Sequence, residues 1–105
     1  MMDLREAALA TGGTAVGGNV SFSSVSTDSR ATQPSQLFVA LRGERFEGHE
    51  FVAAVAAQGA TAAMVDRVWA AANPVPLPLL VVDDTRLGLG RLAAAWRARF
   101  EIPLI

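Results

Sequence analysis

Residues 25–51 read VSTDSRATQPSQLFVALRGERFEGHEF, and this stretch decides the fold. Its centre, residues 37–41, is an apolar run between two polar segments, residues 26–30 and 42–49. Such a run predicts a short strand that is buried on both faces, as in a parallel sheet covered by helices. Polar loops that flank a buried strand can form a pocket with apolar walls and a few placed polar groups. The pattern therefore predicts a site for a small ligand.

The residues around this strand predict a strand–helix–strand unit. Pro34 and Ser35 indicate a type I turn before the strand. A helix is expected over residues 49–58, with Gly59 ending it and a further strand at residues 61–65. The inward-facing residues of this helix are expected to be Phe51, Val52, Val55 and Ala56. A unit of this kind favours a right-handed crossover and parallel pairing of its strands.

The first part of the chain predicts one helix and two short strands. Asp3 can cap a helix that runs to Ala10, and the glycine pair at residues 12 and 13 ends it. Residues 14–16 predict a short strand. Residues 20–22 alternate between apolar and polar, which is typical of a half-buried strand, and an irregular run towards residue 29 follows.

The last part of the chain predicts a connector, a core strand and a long helix. Residues 66–78 are read as a surface connector that Trp69 anchors, and residues 79–82 as a buried strand. Asp83 or Asp84 then caps a helix that continues to about Arg99. Its buried side is expected to hold Leu87, Leu92, Trp96 and Phe100. Taken together, these elements predict the α/β class, with a small mixed or mostly parallel sheet and packed helices.

The segment Gly88-Leu89-Gly90-Arg91-Leu92-Ala93 matches the dinucleotide-binding pattern G-x-G-x-x-[GA]. That pattern needs its glycines in the turn directly after a strand, whereas these glycines fall inside a predicted helix. Gly88 and Gly90 are therefore interpreted as places where the helix backbone approaches its neighbours closely. The adjacent Asp83 and Asp84 fit helix capping better than acid–base catalysis.

Composition excludes several functional classes. The chain has 105 residues, 51% of them hydrophobic, which predicts one domain with one core. A formal net charge of −1 and the absence of a basic run argue against nucleic-acid binding, and the absence of cysteine excludes disulfides and thiolate chemistry. The first residues lack the pattern of a signal peptide, and no apolar stretch is long enough to span a bilayer. We expect a cytoplasmic domain with no membrane partner.

Several motifs resemble one enzyme family. The pattern S-T-D-S-R at residues 26–30 and the run LFVALRGERFEGHEF at residues 37–51 are similar to the N-terminal domain of the Mur ligases of peptidoglycan synthesis. Residues 82–87, VDDTRL, and residues 92–94, LAA, fit the same family. The resemblance implies that residues 1–101 form a UDP-substrate-binding domain. It also implies that residues 102–105 begin a central ATP-binding domain.

The resemblance implies a function for the parent protein. The expected substrate is UDP-N-acetylmuramoyl-tripeptide, to which a monomeric parent enzyme adds D-alanyl-D-alanine with ATP and Mg²⁺. Its own central and C-terminal domains are the expected partners. Alternatives are the sister ligase that adds the third stem amino acid, or a non-catalytic protein-interaction module. The sequence contains no G-x-x-x-x-G-K-[ST] loop, so this chain is expected to lack the ATP site, any cofactor and catalytic activity of its own.

The resemblance assigns substrate contacts to two segments. Thr27 and Ser29 match positions that contact the uridine diphosphate in this family, and Glu44, Arg45 and Phe46 match its second nucleotide-binding segment. From residue types alone, the second segment could instead be a solvated charged loop whose phenylalanine is buried. No catalytic or metal-binding residue is predicted.

Four further residues are expected to support the site. Asp28 and Arg30 either assist the nucleotide or form a structural ion pair beside hydroxyls that cap local turns. Arg45 or Arg42 could meet the diphosphate, where a planar guanidinium can bind two oxygens at once. His49 begins a predicted helix, where backbone N–H groups favour an anion, although bonding to a neighbouring glutamate is the simpler interpretation.

Overall fold

A five-stranded sheet lies at the centre of the chain. The computed structural model describes residues 2–28, 30, 32–41, 51–73 and 77–100. The strands are β1 (Met2–Asp3), β2 (Thr14–Val16), β3 (Ser21–Phe22), β4 (Ser24–Ser26), β5 (Gln36–Val39), β6 (Ala62–Asp66) and β7 (Leu79–Val82). The helices are α1 (Leu4–Thr11), α2 (Val52–Ala57), α3 (Arg67–Ala72) and α4 (Thr85–Phe100).

The strand order in the main sheet is β2-β7-β6-β5-β4. Strands β4, β5, β6 and β7 are parallel neighbours, and β2 alone is antiparallel, paired with β7. The β5–α2–β6 unit therefore has the parallel pairing that the sequence predicted. The mostly parallel α/β class is confirmed. A separate two-stranded sheet joins β1 to β3.

The sheet is covered on both faces. Side chains of successive strand residues alternate between the two faces, so each face has its own apolar cluster. The first cluster joins α1 and α4 to Leu37, Val39, Ala62, Met64, Leu80 and Val82. The second joins α2 and α3 to Phe38, Ala40, Ala63, Val65 and Leu79. Among the described helices, none combines the length and apolar character that crossing a membrane requires.

Helix α1 begins at the predicted cap and ends at Thr11, one residue past the predicted end. The Asp3 carboxylate accepts a hydrogen bond from the Glu6 backbone N–H at 2.8 Å, and the Glu6 side chain accepts one from the Asp3 N–H at 3.2 Å. This reciprocal capping satisfies two N–H groups that the first helical turn leaves without partners. The Glu6 N–H also holds the pKa of Asp3 below its ordinary value of 3.8. Gly12 ends the helix at φ 74°.

The central unit agrees with the prediction except at one turn. In α2, Val52 and Val55 are buried, and Gly59 follows the helix at φ 93°. Residues 49 and 50, where the helix was expected to begin, lie outside the described residues. Ser35 has φ 74°, which is the left-handed value of a type II turn, so the predicted type I turn is wrong.

The predicted connector between β6 and β7 contains a short helix. Asp66 caps α3 by accepting a hydrogen bond from the Trp69 backbone N–H at 2.8 Å. Trp69 packs against the second cluster, as the anchoring role predicted. This helix was not predicted, because six residues give too short a periodic pattern. Strand β1 was not predicted either, since its two residues pair only through the tertiary fold. The irregular run expected after residue 22 is wrong at residues 24–26, which form β4 because they pair with β5.

Helix α4 differs from the prediction in its buried side. Leu92 is 1% exposed and Trp96 packs against the first cluster, as expected, whereas Leu87 is 57% exposed. A helix turns about 100° per residue, so Leu87 lies about 140° around the axis from Leu92. The side chain of Phe100 lies outside the described part of the chain.

The two glycines of α4 have different surroundings. A Cβ atom on Gly88 would lie 2.9 Å from the Met64 sulfur and 3.4 Å from a Val82 methyl carbon. The predicted close approach is therefore confirmed at Gly88. A Cβ on Gly90 would meet nothing within 4 Å, so the same prediction is wrong there. Both glycines lie inside the helix, so they do not form the strand-to-helix turn of a dinucleotide site.

Candidate functional site

The candidate site lies at the carboxyl ends of the parallel strands. Because β4 and β5 are parallel neighbours, their carboxyl ends meet at one edge of the sheet. Thr27 directly follows β4, and residues 42–49 follow Leu41, which lies two residues past the end of β5. The chain therefore leaves β4 and β5 side by side, and the two polar segments follow these strands in the sequence. In open α/β sheets, ligands bind in the crevice outside the carboxyl ends of the strands.

The first segment is a turn whose hydrogen bonds are supplied by its own side chains. The Thr32 hydroxyl donates to the Asp28 carbonyl oxygen at 2.7 Å and lies 3.2 Å from the Ser26 hydroxyl. The Ser26 hydroxyl accepts from the Asp28 backbone N–H at 3.2 Å. Thr32 is 4% exposed, so this network ties the turn to the protein interior. Thr27, in contrast, lies exposed at the surface.

Asp28 and Arg30 form the ion pair that the structural interpretation predicted. The Arg30 Nε lies 3.4 Å from Asp28 Oδ1, and the same oxygen accepts the Arg30 backbone N–H at 2.9 Å. The two side chains are 90% and 50% exposed. A pair this exposed contributes about 0–1 kcal/mol to stability. The bond from the Arg30 backbone N–H to Asp28 shapes the turn, while both side chains stay accessible to solvent.

The other predicted site residues lie outside the described residues. These are Ser29, Arg42, Glu44, Arg45, Phe46 and His49. Ser29 lies three residues past the end of β4 in the sequence, and the others follow Leu41, two residues past the end of β5. Their contacts with a ligand stay predictions.

Acidic residues gather at the ends of β6 and β7 on the same edge. Asp66, Asp83 and Asp84 line a cavity of about 170 Å³ together with Thr85 and Arg86. Two of these carboxylates, those of Asp66 and Asp84, cap helices. Asp84 accepts the backbone N–H groups of Arg86 at 2.8 Å and residue 87 at 3.1 Å, which confirms the predicted helix cap.

The remaining acidic residue of this cavity is also paired. Asp83 lies 3.1 Å from an Arg67 nitrogen in an exposed ion pair. Within the described ranges, no three histidine, cysteine or carboxylate side chains gather as a metal site requires. This cavity was not predicted from the sequence. Its signal in the sequence was an aspartate at the carboxyl end of each of two neighbouring parallel strands, Asp66 as the last residue of β6 and Asp83 directly after β7.

The comparison with protein families decides the family. A model of the Mur ligase family, described as its catalytic domain, matches residues 21–97. The chain belongs to the Mur ligase family. The match includes the polar turn after β4, the whole β5–α2–β6 unit and most of α4.

Individual Mur ligases of two kinds are similar to this chain. The UDP-N-acetylmuramoyl-tripeptide–D-alanyl-D-alanine ligase of Escherichia coli K12 is 44% identical over 87 residues, covering 83% of this chain and 18% of that enzyme. The UDP-N-acetylmuramoyl-L-alanyl-D-glutamate–2,6-diaminopimelate ligase of Streptomyces coelicolor is 41% identical over 92 residues, covering 87% of this chain and 18% of that enzyme. The chain thus spans less than one fifth of the length of either Mur ligase.

A solved Mur ligase structure has the same fold. A crystal structure of MurF from Acinetobacter baumannii superimposes with a TM-score of 0.76 at 33% sequence identity. The superposition covers 95% of this chain and 22% of that one. The mostly parallel sheet with helices on both faces is therefore the fold of this part of a Mur ligase.

Proposed function

We propose that this chain holds the uridine-diphosphate end of UDP-N-acetylmuramoyl-tripeptide in a ligase that adds D-alanyl-D-alanine. The observation that carries the proposal is that β4 and β5 are adjacent and parallel, so their carboxyl ends, which the two polar segments follow in the sequence, meet at one edge of the sheet. In this proposal, residues 1–101 form the N-terminal substrate-binding domain and residues 102–105 begin the central ATP-binding domain. The parent protein would act in the cytoplasm as a monomer, with its central and C-terminal domains as partners.

The proposed contacts divide between the two segments. Thr27, Ser29 and the backbone of their turn hydrogen-bond the nucleotide, while Phe46 borders the uracil ring. Glu44 hydrogen-bonds the edge of that ring, and Arg45 meets the diphosphate, where a guanidinium can engage two oxygens. The buried Thr32 network supports this assignment because it holds the first turn in a fixed shape.

Four residues support these contacts in the proposal. Arg42 joins Arg45 at the diphosphate, and His49 stands near the helix start, where backbone N–H groups favour anions. Asp28 and Arg30 shape the first turn through their ion pair. Since that pair is exposed, Arg30 can rotate towards a bound phosphate at little cost in stability.

The role of such a domain is binding and positioning. Binding energy from the remote nucleotide end positions the reacting end of a long substrate, which lowers the entropic cost of the reaction. The resemblance assigns ATP and Mg²⁺ to the parent enzyme, but the residues here do not fit either group. The sequence has no phosphate-binding loop, and the described residues hold no metal-ligand cluster. We therefore assign no chemical step to this chain.

A titration of the 105-residue chain with UDP tests the proposal. Amide shifts in a ¹⁵N-labelled sample should concentrate at residues 27–30 and 42–49. Affinity is expected to be weak, because the rest of the substrate and of the enzyme contributes binding energy that this chain lacks. Unchanged spectra at millimolar UDP would favour the protein-interaction module.

Two substitutions with matched controls localise the contacts. Ser29→Ala and Arg45→Ala should each weaken UDP binding by about tenfold, which corresponds to the loss of one hydrogen bond to a charged group. Ser21→Ala and Arg5→Ala change exposed residues on other elements and should leave the affinity unchanged. Equal affinity in all four variants would remove Ser29 and Arg45 from the site.

The sister ligase is the second candidate, because relatives with both activities match the chain at similar identity. Both would use the same nucleotide end of the substrate, so UDP binding cannot separate them. Ligation by the parent enzyme separates them: it should accept D-alanyl-D-alanine with the tripeptide substrate and reject a single diamino acid with the dipeptide substrate. The reverse preference would assign the chain to the sister ligase.

A further inference from the structure

A second cavity lies between β4 and α4, on the face of the sheet that α1 also covers. Helix α1 packs beside α4 over β2 and β7, at the far side of the sheet from β4. At the opposite edge of the sheet, β4 extends beyond α4, and α1 does not reach it. The space left there has a volume of about 470 Å³. This volume falls within the range of small-molecule sites.

The walls of this cavity are apolar and supported from behind. They are formed mainly by Val25, Leu89, Leu92, Ala93 and Trp96. Leu92 is 1% exposed, and the Trp96 ring stacks on buried Phe22 with ring centroids 5.9 Å apart. Because Trp96 is held by Phe22, a ligand would meet a preformed aromatic wall, which lowers the entropy lost on binding.

The charge at the rim decides the class of ligand. Arg97 lines the cavity, and no acidic residue is among the described residues that line it. Within the described part of the chain, the structure gives Arg97 no ion pair or hydrogen bond. An apolar body with one carboxylate would bury its ring against Trp96 and bring its charge to the guanidinium.

We propose that the β4–α4 cavity binds a small aromatic carboxylate. The cavity starts at the amino half of β4, whereas the UDP site proposed above follows the carboxyl end, so the two inferences stand separately. A peptide or a second copy of the chain is the competing occupant of an apolar face. The preformed aromatic wall and the Arg97 guanidinium favour the small carboxylate.

Titration with 3-phenylpropanoate, and with 3-phenylpropan-1-ol as its neutral match, tests the proposal. The carboxylate should shift the amides of Val25, Leu89 and Trp96, and the alcohol should bind about tenfold more weakly, since it lacks the charge-assisted bond to Arg97. Added salt should weaken the carboxylate alone. UDP should shift a different set of residues, so failure at one site is distinguishable from failure at the other.

Matched variants locate the ligand. Ala93→Met should fill the cavity and abolish binding, whereas Ala94→Met makes the same change one residue along α4, outside the cavity, and should preserve it. Arg97→Gln should reduce carboxylate affinity to that of the alcohol, and Arg5→Gln should have no effect. Absent shifts at millimolar carboxylate, equal binding of both probes, or binding that survives Ala93→Met would each overturn the proposal. So would shifts that follow protein concentration, which would mean that a second copy occupies the face.

Discussion

Replacing each glycine of α4 by alanine should have opposite effects on stability. Both substitutions replace a residue that disfavours a helix interior, a change that alone stabilises by about 0.5–1 kcal/mol. At Gly90 nothing lies within 4 Å of the new Cβ, so Gly90→Ala should show this full gain. At Gly88 the new Cβ would lie 2.9 Å from the Met64 sulfur, well inside a normal contact.

The size of the clash at Gly88 follows from the surrounding packing. Nonbonded carbon contacts are optimal at about 3.5–4.0 Å, so the sulfur would have to retreat by roughly 0.5–1 Å. Met64 is fully buried, and one more methyl group in a packed interior costs about 1–3 kcal/mol. Because the helix-propensity gain is common to both variants, Gly88→Ala should be less stable than Gly90→Ala by about 1–3 kcal/mol.

Urea unfolding measures this difference. The fluorescence of Trp69 and Trp96 reports on both faces of the sheet, and linear extrapolation gives the free energy of unfolding for each variant. A Met64→Val substitution removes the clashing sulfur. It should therefore lower the free energy of unfolding less in the Gly88→Ala variant than in the unchanged chain. Additive effects of these two changes, or equal stabilisation by both alanines, would refute the close contact between α4 and β6.

Three further predictions concern the caps and the turn. Asp84→Ala should destabilise the chain by about 1 kcal/mol because it removes the cap of α4, while Asp83→Ala should change thermal stability little. Thr32→Val should weaken UDP binding while the circular dichroism spectrum stays native, and Thr32→Ser should restore the affinity; unaltered binding by the valine variant would separate the network from the site. The hydrogen bond from the Glu6 N–H lowers the pKa of Asp3 in the folded chain below its ordinary value of 3.8. The stability that this cap contributes is therefore fully present at neutral pH and is lost as the pH falls from 3.8 through the lower pKa of the folded chain. Titration of the Asp3 carboxyl group by NMR measures that pKa.

The sequence predicted the central unit because its signals are local. The apolar run of β5 is too short for a helix and is flanked by turn residues, which leaves a buried strand as the simplest interpretation. The caps at Asp3 and Asp84 were predictable for the same reason, since a capping side chain bonds to backbone within three residues of itself.

What the sequence missed depends on distant contacts. Strand β1 is two residues long and exists because Met2 lies opposite Phe22 in another strand. The buried side of α4 was predicted wrongly at Leu87 because the apolar residues of this helix fit more than one rotation about its axis. A rotation that buries Leu87 agrees with the sequence pattern as well as the observed one does. The close approach of Gly88 to Met64 fixes the rotation of the helix, and a contact between residues so distant in sequence is not visible in a local pattern.

The position of β4 at the sheet edge explains why one short strand can serve two proposed sites. Its single neighbour in the main sheet fixes the register, with Val25 beside Leu37, and this places Val25 on the α4 face. The strand then ends at Ser26, and the Thr32 hydroxyl holds the turn that follows by donating to the Asp28 carbonyl oxygen. One site therefore depends on the face of β4 and the other on its end. Filling the cavity at Ala93 should leave UDP binding intact, whereas a slip in the β4 register would disturb both sites, since it would turn every side chain to the opposite face.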